Sequence, residues 1–337
     1  MALSGRPPDS VWIPKGGLVK SIYITDLKAG DELANQPFLL QDVVRRTTRD
    51  GRAFLLGSLR DKTGAVACVY WDVPDYVERW VRAGLVVLVT GRIASYKDAL
   101  QISITDMSTA FNPDMTAFLP SSQRPREEMI DELVDKIGRL SQPWQGLVED
   151  LLLADTFLPR FANAPAARTM HHAYIGGLLE HTLSMATLAE HLAGHYPYVN
   201  KDLLLAGALL HDMGKALEYA IEESFSFSDD GRLVGHIVRA VTMIEAAADR
   251  LGTLSTDQRR QLVHLIASHH GTHEWGSPVV PKTLEAVLLH QIDLLDSRVQ
   301  GFFDHLNNDS GEDGWTVKAS HMFNTELRRP PGFGEGE

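Results

Sequence analysis

Residues 203–215 read LLLAGALLHDMGK. An unbroken apolar run from Leu203 to Leu210 gives way to His211, Asp212, Met213, Gly214 and Lys215. A run apolar on every side is a helix buried on every side. An imidazole beside a carboxylate at its inner end is costly to bury unless both are paired or bind a cation. Gly214 reads as the helix terminator, and Lys215 follows one turn beyond His211.

Outward from this stretch the chain is helical to about residue 308. EEMIDELVDKIGRL, WQGLVEDLLLADTFL, GGLLEHTLSMATLAEHLAGH, HIVRAVTMIEAAADRLG, TDQRRQLVHLIASHH and TLEAVLLHQIDLLDSRVQGFFDHL all carry the 3.6-residue period. All 14 histidines fall after residue 170. His181 shares a buried stripe with Leu178, Met185 and Leu188. His236 opens one helix, His269 and His270 close another, and Asp293 lies inside an apolar one. A single buried histidine is usually a hydrogen-bonded core residue. Together with Asp212, these point into one bundle core, the way metal sites in helical bundles are built. Imidazole and carboxylate without thiolate suit Mn²⁺, Fe²⁺, Co²⁺ or Zn²⁺. His191 and His195, in EHLAGH, lack the His-Glu order of zinc proteases and read as surface. His264 and His290 read as packed or hydrogen-bonded.

Ahead of the bundle, residues 19–111 read as short strands broken by turns, with one helix in DVPDYVERWVRAG carrying Tyr76, Trp80 and Val81 at helical spacing. In ALQISITDM, Leu100, Ile102 and Ile104 alternate with polar residues, the period of a half-buried strand. Three strands, a helix and two strands fit a small closed barrel of OB type. The fold class is therefore multidomain, an all-β OB-like barrel followed by an all-α bundle. The expected boundaries are an N-terminal extension at 1–18, the barrel at 19–111, a Pro- and Ser-rich linker at 112–128, the bundle at 129–310 and a tail at 311–337, whose RRPPGFGEGE looks disordered.

Net charge is −12, but unevenly spread. Residues 1–120 hold 14 Lys and Arg against 13 Asp and Glu, whereas the remainder holds 18 against 31. Bound cations would offset part of the second figure, so the whole-chain charge does not exclude a nucleic-acid partner. Cys68 is the only cysteine, which excludes an internal disulfide and a thiolate-rich zinc site. No apolar run approaches the roughly 18 residues of a membrane span, and the start has no signal-peptide core. The expectation is a cytoplasmic protein with no membrane partner; a homo-oligomer stays open.

The order His181, His211-Asp212, Asp293 resembles the HD phosphohydrolase superfamily. HHAYIGGLLEHT, LLHDMGK, GRLVGH, ASHHG and HQIDLLD, in that order behind an OB-like barrel containing LRDKTG and LQISI, resemble the YhaM-type 3′→5′ exoribonucleases over about residues 20–310. The resemblance implies a metal-dependent phosphodiesterase. His181, His211, Asp212 and Asp293 would be the basic ligands, His236, His269 and His270 extra ligands of a second metal, and Asp212 the bridge. Whether His269 or His270 ligates is left open. The cofactors implied are two divalent ions, Mn²⁺ first, with Co²⁺, Fe²⁺, Zn²⁺ or Mg²⁺ as alternatives, which activate a water for attack on phosphorus.

Asp212 and Lys215 are the expected catalytic residues, Lys215 reaching a phosphate oxygen. His171 and His172, with His172 favoured, and Trp275 are candidate substrate contacts. Gly176 and Gly177 would let a backbone approach closely, at a helix start that suits an anion. On the barrel, Arg45, Arg46, Arg49, Trp71, Tyr96 and Lys97 are candidates for pairing charge with base stacking. The leading function is metal-dependent 3′→5′ hydrolysis of single-stranded RNA, with DNA as a secondary substrate. The alternatives are an HD-type hydrolase of small nucleotides or cyclic dinucleotides, and a non-catalytic nucleic-acid-binding adaptor.

Overall fold

A computed structural model describes residues 20–96, 99–111, 113–168, 171–221, 224–309, 311, 314–320 and 322–333. The chain divides into two compact units between Leu119 and Pro120. No helix among the described residues is long and apolar enough to cross a membrane.

The first unit is a closed barrel of β1 (Glu32–Thr47), β2 (Ala53–Asp61), β3 (Gly64–Trp71), β4 (Val86–Tyr96) and β5 (Ala99–Thr109). The strands close in the order β1-β2-β3-β5-β4, with β3 and β5 parallel and every other pair antiparallel. Alternation drives closure: Leu55 and Leu59 of β2, Val66, Cys68 and Tyr70 of β3, and Ile102 and Ile104 of β5 point inward and are buried together. Helix α1 (Asp75–Glu78), between β3 and β4, is a single turn. Its buried residue is Val77, while Tyr76 faces outward, so the expected stripe of Tyr76, Trp80 and Val81 is corrected to Val77, Trp80 and Val81.

The second unit is helical: α2 (Arg126–Gly138), α3 (Trp144–Leu152), α4 (Leu158–Asn163), α5 (Gly177–His195), α6 (Lys201–Leu210) and α7 (Lys215–Glu218). A hairpin of β6 (Tyr219–Ile221) and β7 (Phe225–Phe227) follows, then α8 (Asp229–Leu233), α9 (His236–Leu251), α10 (Thr256–Ser268) and α11 (Leu284–Asn308). Helix α6 is the axle. It packs against α3, α5, α10 and α11, and every residue from Leu203 to Leu210 is buried. Its N-terminus is capped by Asn200, whose side chain accepts from Leu203 N–H at 3.1 Å. Each of its five buried leucines contributes about 2 kcal/mol of transfer energy. The total of about 10 kcal/mol can offset the several kcal/mol needed to desolvate a charged group at its end. Beyond α11 the chain turns back: Arg329 donates to the carbonyls of Leu306 and Asp309, and Trp315 bridges to Arg328. The expected disorder of RRPPGFGEGE is corrected there, because buried carbonyls at the end of α11 need those donors; residues 334–337 lie outside the described residues.

Gly214 is not the left-handed terminator expected from sequence. Its φ is −61°, ordinary right-handed geometry, and α7 starts at the next residue. The glycine is needed for space: a Cβ there would lie 2.2 Å from the carbonyl oxygen of His236. Backbone cannot yield as a side-chain tip does. Gly214→Ala should therefore destabilise the protein by about 1–3 kcal/mol instead of gaining the usual helix advantage of alanine. A thermal melt checks this, and an unchanged midpoint would contradict the close approach.

Candidate metal centre

Five helices deliver the donors. His181 lies in the second turn of α5, His211 and Asp212 follow α6, His236 opens α9, His269 and His270 follow α10, and Asp293 lies within α11. Asp212 stands at the middle. Its Oδ2 is 3.4 Å from His211 Nε2 and 3.7 Å from His181 Nε2. Its Oδ1 is 3.5 Å from both His236 Nε2 and His269 Nε2. His181 Nε2 lies 3.4 Å from Asp293 Oδ1 and 3.2 Å from His211 Nε2. Two sets of potential ligand atoms each gather within 4.8 Å, one from His181, His211 and Asp293, the other from His236, His269 and His270.

These residues fit divalent cations. Asp212 Oδ1, His236 Nε2 and His269 Nε2 are buried and find no hydrogen-bond partner among the described residues. Three such orphans in one place would be costly in a protein made to keep them empty. Their separations are too long for good hydrogen bonds and suit donors surrounding a common ion. The ring orientations agree. His211 Nδ1 donates to Ala208 O at 2.9 Å, His269 Nδ1 to Ile266 O at 2.7 Å and His270 Nδ1 to Trp275 O at 2.7 Å. A carbonyl only accepts, so each of these rings carries its hydrogen on Nδ1 and keeps the Nε2 lone pair for a ligand. Two other rings lean on carboxylates. His181 Nδ1 lies 2.7 Å from Asp296 Oδ2, and His236 Nδ1 lies 2.8 Å from Glu218 Oε2, the latter at an ion-pair angle rather than a hydrogen-bond angle.

The electrostatics follow from burial and pairing. Burial pushes the Asp212 carboxyl up, but Lys215 and His211 prevail and hold it well below the usual carboxylate range. Burial likewise opposes the charge on Lys215, which Asp212 more than restores. Asp293, against burial, is held low by His181 and His211. Burial depresses His269 and, with His269 as neighbour, takes His270 down to about 3. His181 goes the other way: burial disfavours its charge, but Asp293 and Asp296 raise it to about 9.

The other expected site residues fall as follows. Lys215 Nζ lies 2.6 Å from Asp212 Oδ2, so it holds the central carboxylate. His172 is buried, with both ring nitrogens occupied, by Tyr174 OH at 2.8 Å and Asp296 Oδ2 at 3.2 Å; it does not offer a free edge to a substrate. His171 differs: its Nδ1 is buried and unpartnered among the described residues, and burial with His181 nearby takes its ring down to about 3. Gly177 allows a close approach, but to protein, since a Cβ would sit 2.1 Å from His172 O. Gly176 adopts φ 83° just before α5. Trp275 is half-exposed and holds His270 through its carbonyl. His264 and His290 bond to backbone, at Lys282 N–H and His269 O.

On the barrel, Arg46 pairs in register with Phe54, and Phe54 with Trp71, so one outward row crosses β1, β2 and β3. The Phe54 and Trp71 rings stack at 4.6 Å. Arg45 is tied to Glu78 at 2.8 Å, Arg49 and Tyr96 are exposed, and Lys97 lies outside the described residues. Sequence reasoning missed Glu218 and Asp296. Asp296 had a legible signal, since it follows Asp293 by three residues on one helix face in HQIDLLD.

Two family models match the chain, an OB-fold nucleic acid binding domain over residues 39–110 and an HD domain over residues 178–298. Barrel and metal centre thus define an OB-fold domain joined to an HD domain, and HD domains imply divalent metal binding. Over 264 residues the chain is 36% identical to the 3′-5′ exoribonuclease YhaM of Geobacillus sp. (strain WCH70), covering 77% of this chain and 81% of that protein. The chain belongs to the YhaM family. Among solved structures it is similar to the second OB-fold domain of replication protein A from Methanococcus maripaludis, with 19% identity, 26% of this chain, 92% of that chain and a TM-score of 0.21. It is also similar to the HD domain of the L. monocytogenes phosphodiesterase PgpH, with 18% identity, 47% of this chain, 74% of that chain and a TM-score of 0.28.

The raised His181 has a pH consequence. Between its ordinary value of 6.5 and about 9 the metal-free ring holds a proton that a cation must displace. Affinity at that end should climb with pH through this window and level off above it. Calorimetry near neutral pH, in buffers of different ionisation enthalpy, should show about one proton released as that end fills; no buffer dependence would contradict the assignment.

Proposed function

We propose that this chain is a metal-dependent exoribonuclease that shortens single-stranded RNA from the 3′ end. The observation that carries the reading is the Asp212 carboxylate, whose two oxygens face two separate histidine sets in a member of the YhaM family. Residues 129–310 would be the hydrolytic part and 19–111 the strand-binding part. The bound ions, two in number and Mn²⁺ by preference, would supply an activated water and neutralise charge on the phosphoryl oxygens.

The protein's own groups do the rest. Asp212 would hold the ions, with one oxygen toward each histidine set, while Lys215, beside it, keeps that carboxylate ionised and presents a positive charge at the edge of the centre. Lys215 would offer its ammonium to a phosphate oxygen from its place beside Asp212. His171, whose Nδ1 has no partner among the described residues, would bond the terminal nucleotide, the substrate contact expected of His171 and His172. Trp275 offers a half-exposed ring, packed beside His290, on the segment whose carbonyl holds His270. On the barrel, the Arg46–Phe54–Trp71 row combines a cation with stacked rings, the pairing that binds single strands without reading sequence. Exposed Arg49 and Tyr96 would be further strand contacts, and Arg45 would join them on release from Glu78. DNA as a second substrate, self-association and a cytoplasmic site of action belong to the same reading. A spent adaptor has no use for a complete inward-facing ligand set. Hydrolysis of small nucleotides alone leaves the exposed barrel row without a task.

With Mn²⁺ the full-length protein should shorten 3′-extended labelled RNA and release mononucleotides bearing 5′ phosphates, and chelator should stop it. Asp212→Ala should lower the rate by roughly 10²–10³ or more while strand binding survives; a fully active variant would contradict the centre. Trp71→Ala should weaken strand binding by about 1–3 kcal/mol, and Arg46→Ala should reduce the salt slope by about 0.7; binding indifferent to both would move the strand path off this row.

A further inference from the structure

The loop before α5 is built around His172. Its φ is 51°, left-handed and uncommon outside glycine. Such a conformation persists only where the surroundings over-determine it, and here they do. The His172 carbonyl accepts from Ala166 N–H at 3.1 Å and Tyr174 N–H at 2.9 Å, and it occupies the space Gly177 leaves by having no Cβ.

The side chain is held as tightly. Tyr174 OH lies 2.8 Å from His172 Nδ1 and 2.9 Å from Glu180 Oε2. His172 Nε2 faces Asp296 Oδ2 at 3.2 Å. The same oxygen takes His181 Nδ1 at 2.7 Å, and Ser184 Oγ donates to the other. Glu180, Tyr174, His172, Asp296 and His181 thus form one part-buried chain ending on the back of a proposed metal ligand. His172, His181 and Asp296 also lie close enough to hold an ion themselves. The 2.7 Å and 3.2 Å separations are hydrogen-bond distances with donors in place, so the cluster is already satisfied.

We infer that His172, Tyr174 and Asp296 are positioning residues for His181, and that they govern only the ion held by His181, His211 and Asp293. Asp296 fixes the hydrogen of His181 on Nδ1 and turns Nε2 toward the ion; His172 and Ser184 fix Asp296 in turn. The opposite ion does not share this support, because His236 has its own carboxylate in Glu218 and His269 and His270 rest on backbone carbonyls. Apart from the shared Asp212, the two ions would therefore draw on separate supports. This inference rests on the two-ion reading of the centre.

The test is a Mn²⁺ titration of metal-stripped full-length protein by calorimetry, with thermal melts of the stripped forms alongside. Asn tolerates left-handed backbone, so His172→Asn keeps the loop and a donor for Tyr174 but falls short of Asp296. His172→Gln reaches Asp296 with its amide N–H. The wild type should bind two ions. His172→Asn should weaken one of them about 10- to 100-fold and leave the other and the melting midpoint unchanged; His172→Gln should recover most of the loss. Tyr174→Phe should weaken the same ion about two- to tenfold, the worth of one hydrogen bond. Two ions at wild-type affinity in His172→Asn, equal weakening of both ions, or no recovery in His172→Gln would overturn the inference alone. A wild type that binds fewer than two ions would overturn the two-ion reading and the inference with it.

Discussion

One carboxylate organises the helical unit. Asp212 lies at the end of the most buried helix and divides its oxygens between two groups of imidazoles drawn from four other positions in the fold. A buried carboxylate so placed has to be compensated. Lys215 supplies a charge from the next turn, and the histidines supply lone pairs that only a cation satisfies. The apolar length of α6 fixes the position of that carboxylate, because moving it would expose leucines from Leu203 to Leu210. Hydrophobic packing thereby becomes positional accuracy for polar chemistry.

Much of this was legible in the sequence for a definite reason. Residues that face a helical core repeat with the helical period, so buried His181 and partly buried Asp293 are marked by their apolar neighbours. His211 and Asp212 did so by ending an apolar run. The barrel was legible through alternation, and its closing order agrees with the three-strand, helix, two-strand reading. His269 and His270 could not be separated by spacing, and the structure brings both to the same side of Asp212.

What escaped depends on contacts between distant segments. Glu218 looks like an ordinary solvated acid until His236 is seen behind it, and Asp296, although it shares a helix face with Asp293, shows its task only with His181 beside it. His172 sits in a polar loop with no period, and only the left-handed turn at that residue puts its ring into the interior. Gly214 carries the sequence mark of a terminator but serves the carbonyl of His236, 22 residues on in the numbering. In each case the residue type was visible and its partner was not.

The central claim is that the Asp212 carboxylate bridges two cations. Anomalous diffraction from crystals of the full-length protein grown with Mn²⁺ tests it most directly. The account predicts two anomalous peaks, one beside Asp212 Oδ2 among His181, His211 and Asp293, the other beside Oδ1 among His236, His269 and His270. A single peak, or density at His172 and Asp296 in place of either, would contradict it.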